Sequence, residues 1–530
     1  MKQNNTKHEI INSNLSLSHV APAMKNALLL FFILLKSCIH FFLINKAYTL
    51  HRDEFLHLDQ AKHLAWGYES VPPFTSWISW LILQLGNSVF WVKFFPVLFG
   101  VLTLIVVWKA IEALQGGLFA LILGAVAVIF SVIMRINILY QPNSFDILCW
   151  TFFYFNLLKY INTKKNKWLW IAAVTFAFAF LNKYNMVFLF IGLLPAILLT
   201  PHRNILTNKQ FYFALLLALL LISPNLVWQY QNNFPVVHHM KELADTQLVN
   251  VQRSDFIKEQ LLFFIGSIFI LLAAFIAFII YSPFKQYRVF GFVYIFTILV
   301  FLYFKAKAYY AIGLYPILLG FGAVYLEQFF KNGWKLYLRP VSVLVVLLLF
   351  IPVLKIAFPI SRPEKIASDN SRFKKFGALK WEDGKDHLIP QDFADMLGWD
   401  ELALKVDSTY ATIPDKKNTL VICDNYGQAG AINYYTHHKD LHAVSFNADY
   451  INWFPLTTKT IINLILVNEA GNNIINAIKQ QKIFNSIVKT GTVESDYARE
   501  KGTNILLLTG AAIPLNKNLQ DRINKYKAAR

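Results

Sequence analysis

Acidic residues are rare in the first two thirds of this chain. The 530 residues contain 31 Asp and Glu against 50 Lys and Arg, and only twelve of the acids precede residue 359. A formal net charge of +19 would suit a nucleic-acid partner if the basic residues formed a stripe or a basic helix. They lie instead mostly in short loops between apolar runs and in the C-terminal part. We therefore expect no nucleic-acid partner, and contact with anionic membrane lipids explains the charge.

Cysteine is equally scarce. Cys38, Cys149 and Cys423 are far apart in the sequence, which excludes a disulfide framework and a cysteine-based zinc site. The adjacent His238 and His239 are not accompanied by an HExxH or similar spacing. The sequence therefore predicts no cofactor, and it does not support a divalent metal site, although a metal stays open as an alternative.

Long apolar runs dominate what is present. The chain is 56% hydrophobic and 15% charged, which exceeds the apolar fraction of ordinary soluble domains and predicts an α-helical polytopic membrane protein. Since about twenty apolar residues make one crossing, we expect about eleven spans. They are predicted at 24–45, 88–108, 117–134, 143–160, 168–181, 186–200, 211–228, 260–281, 288–304, 308–328 and 339–358.

The basic loops predict an orientation. With a cytoplasmic N-terminus, the loops near 159–167, 203–209, 285–288 and 331–339 are cytoplasmic and rich in Lys and Arg, as the positive-inside rule requires. The same orientation puts the loop 46–87 and the other unusual polar clusters on the outer side, where they could form one site.

The character of the chain changes near residue 359. Acids become frequent, and the apolar runs TLVICDN at 419–425 and NILLLTG at 504–510 alternate with polar helical patterns, which is typical of buried strands between helices. We therefore predict a membrane domain at 1–358 and a soluble, extracytoplasmic α/β domain at 359–530. The GQAG at 427–430 is too short for a nucleotide fingerprint and indicates a turn and a helix start.

The loop after the first span concentrates acid. Asp53 and Glu54 come directly after an apolar run, where a carboxylate is costly unless it has a partner or a function, so they are the first candidates for catalysis. The alternative is a solvated loop in which Asp53 pairs with Arg52. Two apolar residues further along, Leu64 and Trp66, join Leu56 in a pattern that favours an interfacial helix.

Further candidates sit at other predicted span ends. Asp146 lies about one turn inside the fourth span and is predicted to be functional, with a structural pairing to Arg135 as the alternative. Lys183, Lys305 and Lys307 are cations at outer span ends, which favours a lipid phosphate nearby. Snorkelling of these side chains to lipid headgroups is the alternative.

Several motifs together resemble a known family. HRDE…HLAWGY…VPPFTSW after the first span, an acid at the head of a later span, LNKYN, NNFPVVHHM, KAYY…LYP and NYGQAGAINYY are similar to the bacterial dolichyl-phosphate-mannose protein mannosyltransferase-like enzymes. These form glycosyltransferase family 39, within the GT-C superfamily. The similarity runs from about residue 40 to 440.

The resemblance implies an activity and roles for single residues. It implies inverting transfer of a sugar from a polyprenyl-phosphate donor to a glycan, lipid or protein acceptor, at the outer face of the bacterial inner membrane. The family's first-loop aspartate would be Asp53, with Glu54 beside it, and its second acid Asp146. The lysine of its KAYY segment would be Lys307, and its loop histidine would be His239, a candidate for contact with the acceptor or sugar. Our own further candidates for the donor phosphate are Arg52, Lys183, Tyr309 and Tyr310, and we expect Glu54 and Asp146 to orient the acceptor or sugar. In related aminoarabinose transferases a lysine precedes the paired prolines, whereas Val71 stands here.

Two other functions are weighed. A secondary transporter or lipid flippase would show broken helices, mid-membrane polar sites and often repeat symmetry, and the sequence has no internal repeat. A non-catalytic scaffold would tolerate loss of both Asp53 and Asp146.

Overall fold

The computed structural model of the protein describes residues 22–246, 248–471, 480 and 483–528. Residues 1–21 of the predicted membrane domain lie outside the described residues. The described chain is mostly helical, with one sheet near its C-terminal end.

The helices of the membrane part are as follows: α1 Pro22–Leu43, α2 Arg52–Asp59, α3 Phe74–Gln84, α4 Val89–Ala113, α5 Leu118–Ile129, α6 Val132–Ile136, α7 Pro142–Thr163, α8 Lys167–Asn182, α9 Met186–Leu198, α10 Lys209–Gln231, α11 Pro235–Thr246, α12 Arg253–Phe263, α13 Ile268–Ile280, α14 Arg288–Tyr303, α15 Tyr315–Phe329 and α16 Leu338–Ala357. Short 3₁₀ helices occupy Gln60–Lys62, Pro201–Thr207, Leu248–Asn250, Ser282–Tyr287, Ala308–Leu314 and Gly333–Tyr337.

Each of the eleven predicted spans overlaps a helix of the described chain. Within the described residues, six helical segments are long and apolar enough to cross a membrane, or up to eight if each of two bent helix pairs forms one span. The protein is thus a multi-pass membrane protein, and the number eleven stays a prediction. The membrane helices share one large core in which Trp108, Trp150 and Phe321 are fully buried.

The C-terminal part, residues 359–528, contains helices and a sheet. Its elements are α17 Pro363–Ser368, α18 Ser371–Lys375, α19 Gln391–Ala394, α20 Trp399–Ala411, β1 Thr419–Cys423, α21 Tyr426–Tyr435, β2 Ala443–Ser445, the 3₁₀ helix Ala448–Asn452, β3 Asn463–Asn468, β4 Phe484–Thr492, β5 Asn504–Ala511 and α22 Leu515–Ala528. Both predicted strands are confirmed as β1 and β5, and the predicted helix start at the GQAG is α21.

Among the described residues the five strands form one sheet in the order β2-β1-β3-β5-β4. β1 pairs in parallel with β2 and β3, so that Val421 lies opposite Ala443 and Ile465. β5 pairs antiparallel with both β3 and β4. The carboxyl ends of the parallel strands lead into Tyr426 after β1 and into Asn447 after β2. Ligands of open α/β sheets commonly lie at these ends.

The helix α2 is buried between the two parts of the molecule. Phe55, 1% exposed, shares a hydrophobic core with Trp399 of α20, Ile432 of α21 and Val92 of α4. The backbone N–H of Arg52 donates to the carbonyl of Asp395, at 2.9 Å. The C-terminal part is therefore packed onto the loop 46–87.

The interfacial helix predicted over Leu56, Leu64 and Trp66 is not formed. Leu56 is buried in α2 at 6% exposure, whereas Leu64 and Trp66 follow the helix and are about half exposed. The C-terminal part supplies the apolar partner that the prediction assigned to the membrane.

Candidate functional site

A cavity of about 760 Å³ lies between the loop 46–87, the ends of several membrane helices and the C-terminal part. We call it the central cavity. Its lining includes the predicted site residues Arg52, Asp53, Lys183, His239, Lys307, Tyr309 and Tyr310. The structure thus brings together residues that are up to 258 positions apart in the sequence (310 − 52). Glu54 and Asp146 are not in the lining.

The start of α2 positions Asp53. His51 is the N-cap of this helix, and its Nδ1 accepts a hydrogen bond from the backbone N–H of Asp53 at 3.2 Å. The Oδ1 atom of Asp53 accepts a hydrogen bond from the Tyr426 hydroxyl at 2.6 Å, and Oδ2 accepts one from Gln141 Nε2 at 3.0 Å. The Asp53 side chain is still 39% exposed, so the carboxylate is held by both oxygens and remains open to the cavity.

The surroundings of Asp53 favour its ionised form. Burial raises the pKa of the Asp53 carboxyl, but the His51 ring, the Tyr426 hydroxyl, the Arg52 guanidinium and the His57 ring together lower it below its ordinary value of 3.8. A carboxylate that stays ionised near neutral pH can accept a proton.

Glu54, the second predicted catalytic candidate, does not face the cavity. It is 0% exposed, and both its oxygens contact Lys93 Nζ, at 2.6 and 2.8 Å. It also accepts the backbone N–H groups of His51 and Tyr140, at 2.7 and 2.6 Å. Neighbouring residues on a helix point about 100° apart, which is why Asp53 faces the cavity while Glu54 faces α4.

Asp146 also lies behind the cavity wall. It is 4% exposed and accepts hydrogen bonds from Trp150 Nε1 at 3.0 Å and Asn185 Nδ2 at 2.9 Å. The alternative prediction, a pairing of Asp146 with Arg135, is wrong. The Arg135 guanidinium instead forms an ion pair with Asp392 at 3.3 Å. Asp146 therefore supports the segment between α8 and α9 from inside.

The two predicted phosphate lysines line one region of the cavity. Lys183 Nζ donates to Asn143 Oδ1 at 2.6 Å and lies 4.2 Å from the ring centre of Tyr310 and 5.0 Å from that of Tyr309. Lys307 forms an ion pair with Glu382 at 3.4 Å. Both lysines and both tyrosines thus line the central cavity, and cationic N–H donors are groups that can bind a phosphate. Lys305 does not line the cavity and is exposed.

The adjacent histidines of α11 have different surroundings. His239 lines the central cavity from α11, together with Glu242, Leu243 and Thr246 on the same helix face, whereas His238 is exposed. In the part of the chain that the structure describes, no group of three or more His, Cys, Asp or Glu side chains is placed to hold a metal ion.

Sequence reasoning missed the contribution of the C-terminal part to the cavity. Tyr426, Asp395 and Arg499 are in the lining, and Arg499 forms an ion pair with Asp395 at 3.2 Å. The motif NYGQAG was the available signal for Tyr426, but nothing local pointed from it to Asp53, 373 positions away.

Comparison with known proteins agrees with this architecture. Residues 70–228 match the dolichyl-phosphate-mannose-protein mannosyltransferase family. A segment of 198 residues is 24% identical to the lipid A galacturonosyltransferase RgtD of Rhizobium johnstonii, and it covers 35% of this chain and 41% of that relative. The chain therefore matches less than half of the relative's length.

The fold is shared with ArnT from Cupriavidus metallidurans. Its apo structure has a TM-score of 0.60 at 12% identity, and its structure bound to undecaprenyl phosphate has 0.59 at 11% identity. Each comparison covers 91% of this chain and 98% of ArnT. Together the matches show that this chain shares the fold of ArnT and that its stretch 70–228 is similar to the mannosyltransferase family. Both matches agree with the resemblance stated from the sequence, and neither favours the transporter or scaffold alternative.

Proposed function

We propose that this glycosyltransferase moves a sugar from a polyprenyl-phosphate donor to an acceptor hydroxyl or amine, with inversion at the anomeric carbon. The observation that carries the proposal is the central cavity, in which the partly exposed Asp53 carboxylate lines the same space as Lys183, Lys307, Tyr309 and Tyr310. We assign these four residues to the donor phosphate.

The chemistry needs one base and one stabilised leaving group. An acceptor O–H attacks the anomeric carbon, the bond from that carbon to the phosphate oxygen breaks, and the acceptor proton passes to Asp53. The polyprenyl phosphate leaves as an anion, whose new charge the two lysines and the Arg52 guanidinium offset. A single displacement of this kind inverts the anomeric carbon.

The names of the similar proteins support the nature of the partners. ArnT has been solved with undecaprenyl phosphate, RgtD is named for transfer of galacturonic acid to lipid A, and the matching family is named for a dolichyl-phosphate-mannose donor. A polyprenyl-phosphate-linked sugar is therefore our proposed donor. Lipid, glycan and protein remain the candidate acceptor classes, and membrane lipids surround the enzyme.

The remaining predicted site residues receive these roles. His239 contacts the sugar or acceptor from α11, as its place in the lining suggests. Glu54 and Asp146 act indirectly: Glu54 fixes α2 through Lys93, and Asp146 fixes the Lys183 segment through Asn185. Neither carboxylate is proposed to touch the reacting atoms.

We further propose that the enzyme lies in the bacterial inner membrane with the central cavity on the extracytoplasmic side. The basic loops near 159–167 and 331–339 support this orientation. The membrane domain would then end at residue 358, and the domain 359–530 would lie outside the cytoplasm.

The proposal is tested with purified protein in lipid nanodiscs. The protein is incubated with undecaprenyl-phosphate sugars and a membrane extract from cells that lack it, and the products are followed by mass spectrometry. We expect a mass increase of one sugar on an acceptor and release of undecaprenyl phosphate. Absence of transfer with every such donor, or transfer from a nucleotide sugar instead, would contradict it.

A further inference from the structure

The hydroxyl of Tyr426 lies 2.6 Å from Asp53 Oδ1, although the two residues belong to different parts of the molecule. Tyr426 is the first residue of α21, separated from the end of β1 by Asp424 and Asn425. The ring of the same tyrosine lies under the Arg52 guanidinium, 4.3 Å from its central carbon. One side chain from the C-terminal part thus contacts both the candidate base, Asp53, and the neighbouring cation, Arg52.

Two glycines of α21 allow this approach. A Cβ on Gly427 would lie 2.6 Å from Arg52 Cγ, and a Cβ on Gly430 would lie 2.7 Å from Phe55 Cβ. Both distances are below van der Waals contact, and residues three apart share one face of a helix. The GQAG sequence therefore forms a smooth face on which α2 rests.

The beginning of α21 is fixed independently of α2. Asn425 and Gln428 form a reciprocal capping box, with Gln428 N–H to Asn425 Oδ1 at 3.0 Å. The Gln428 amide also donates to the buried Glu500 at 2.5 Å. Because its own helix start is held in this way, the Tyr426 hydroxyl is a preorganised donor.

The protonation states agree with this arrangement. Burial and the charge of Asp53 raise the pKa of the Tyr426 phenol well above its ordinary value, so Tyr426 remains a donor. An ionised carboxylate has about four acceptor positions on its two oxygens. Tyr426 and Gln141 each occupy one of these positions. Asp53 can therefore still take up a proton from the molecule that receives the sugar.

We propose that the C-terminal part completes the catalytic site, with Tyr426 as the positioning residue that orients the Asp53 carboxylate toward the acceptor. This inference rests on the proposed function, in which Asp53 is the base. It assigns to the C-terminal part a role in the chemical step that is exerted through the orientation of Asp53.

The test compares Tyr426→Phe with Tyr434→Phe in the sugar-transfer assay. Tyr434 is the matched control because it lies on the same helix and its hydroxyl also makes one tertiary hydrogen bond, to the Asn87 carbonyl at 2.9 Å, but it does not line the cavity. We expect Tyr426→Phe to lower kcat about tenfold to a hundredfold, the range for a hydrogen bond to a charged group. KM for the donor should change less than about twofold, and Tyr434→Phe should keep normal kinetics.

The pH profile distinguishes a lost contact to Asp53 from a general loosening of the variant's fold. The charged and titratable groups around Asp53 are His51, Arg52 and His57 from its own segment, Asp395 and Tyr426 from the C-terminal part, and Tyr309 from the Lys307 segment. Loss of the Tyr426 hydroxyl removes a bond to the ionised form, so the pKa of Asp53 rises and the acid limb of kcat/KM moves to higher pH. Tyr434→Phe should leave that limb in place.

A second measurement tests the inference even if Tyr426→Phe folds poorly. Incorporation of 3-fluorotyrosine at position 426 keeps the ring and makes the hydroxyl a stronger donor, so the acid limb should move to lower pH. An unchanged limb in that protein, normal kcat in Tyr426→Phe, or equal losses in both phenylalanine variants would overturn the inference. If the unmodified protein transfers no sugar at all, the proposed function fails first and this inference fails with it.

Discussion

Asp53 is the residue on which the proposed chemistry depends. Asp53→Asn keeps the shape of the side chain but removes the base, so turnover should fall by about two to four powers of ten, the usual contribution of a general base. The assay is transfer from a polyprenyl-phosphate sugar, with thermal melting to check the fold. Asp496→Asn is the control, because that carboxylate is 74% exposed and lies outside the cavity lining. Near-normal turnover of Asp53→Asn would remove Asp53 from the mechanism.

The lowered pKa of Asp53 predicts a pH profile. The pKa lies below 3.8, and the base must be ionised to act, so activity is present above that pKa and is lost as the pH falls through it. We therefore expect kcat/KM to show no acid limb from Asp53 between about pH 5 and 7. The measurement is kcat/KM against pH with the intact enzyme. An acid limb near pH 6 that disappears in Asp53→Asn would contradict the lowered pKa.

Lys307 and Lys305 are two residues apart but have different surroundings. Lys307 lines the central cavity, whereas Lys305 is exposed outside it. If Lys307 holds the donor phosphate, Lys307→Ala should weaken donor binding by about 1.5 to 3 kcal/mol, roughly tenfold to a hundredfold. The apparent KM for the donor should rise with little change for the acceptor, or kcat should fall at constant KM if the contact forms only in the transition state.

Lys305→Ala is the control for that measurement and should behave as the unmodified enzyme. Equal effects of the two substitutions would indicate a general loss of positive charge at the membrane surface. No change in either variant would leave the phosphate to Lys183 and Arg52.

At the scale of elements, the orientation of α2 decides which carboxylate reaches the cavity. The buried pair of Glu54 and Lys93 fixes α2 on α4. Lys93→Met should leave Glu54 as an uncompensated buried charge and lower the free energy of unfolding by about 3 to 5 kcal/mol. Thermal melting in detergent measures the loss, and Lys109→Met is the control because Lys109 lies on the same helix in an exposed pair with Glu112. An unchanged melting temperature would show that the pair does not hold α2.

The elements differ in how far the sequence determines them. Apolar runs of one span length can only be satisfied as helices in a membrane, which is why α1, α4 and α16 follow the predicted bounds closely. The strand β1 was predictable because a short, β-branched apolar run stood between turn residues. The interfacial helix was wrong because Leu56 has a tertiary partner in the C-terminal part, and no local pattern reports such a partner.

Only those residues of the candidate site that precede residue 359 were predictable from the sequence. Asp53, Lys183 and Lys307 carry charges at apolar span ends, and charge in such a place is costly enough to be noticed. Tyr426 and Asp395 lie in segments of an α/β domain that carry no unusual charge pattern, where a tyrosine or an aspartate attracts no attention. Their contact with Asp53 and Arg52 arises from the docking of α21 on α2, which is a property of the assembled fold.

At the scale of the whole molecule, we predict that the central cavity and the C-terminal part lie on the same side of the membrane. The C-terminal part shares a hydrophobic core with α2, so the two must lie on the same side of the membrane. In a variant with Cys38→Ser, a cysteine at the exposed Ser408 should react with an impermeant thiol reagent in intact cells, because Ser408 lies on α20. A cysteine at the exposed Asn166 should react only after the cells are permeabilised, because the lysine-rich loop 159–167 is expected to be cytoplasmic. Cys149 and Cys423 are buried and provide the unreactive background. The opposite labelling would invert the orientation, and with it place the donor and acceptor on the cytoplasmic side.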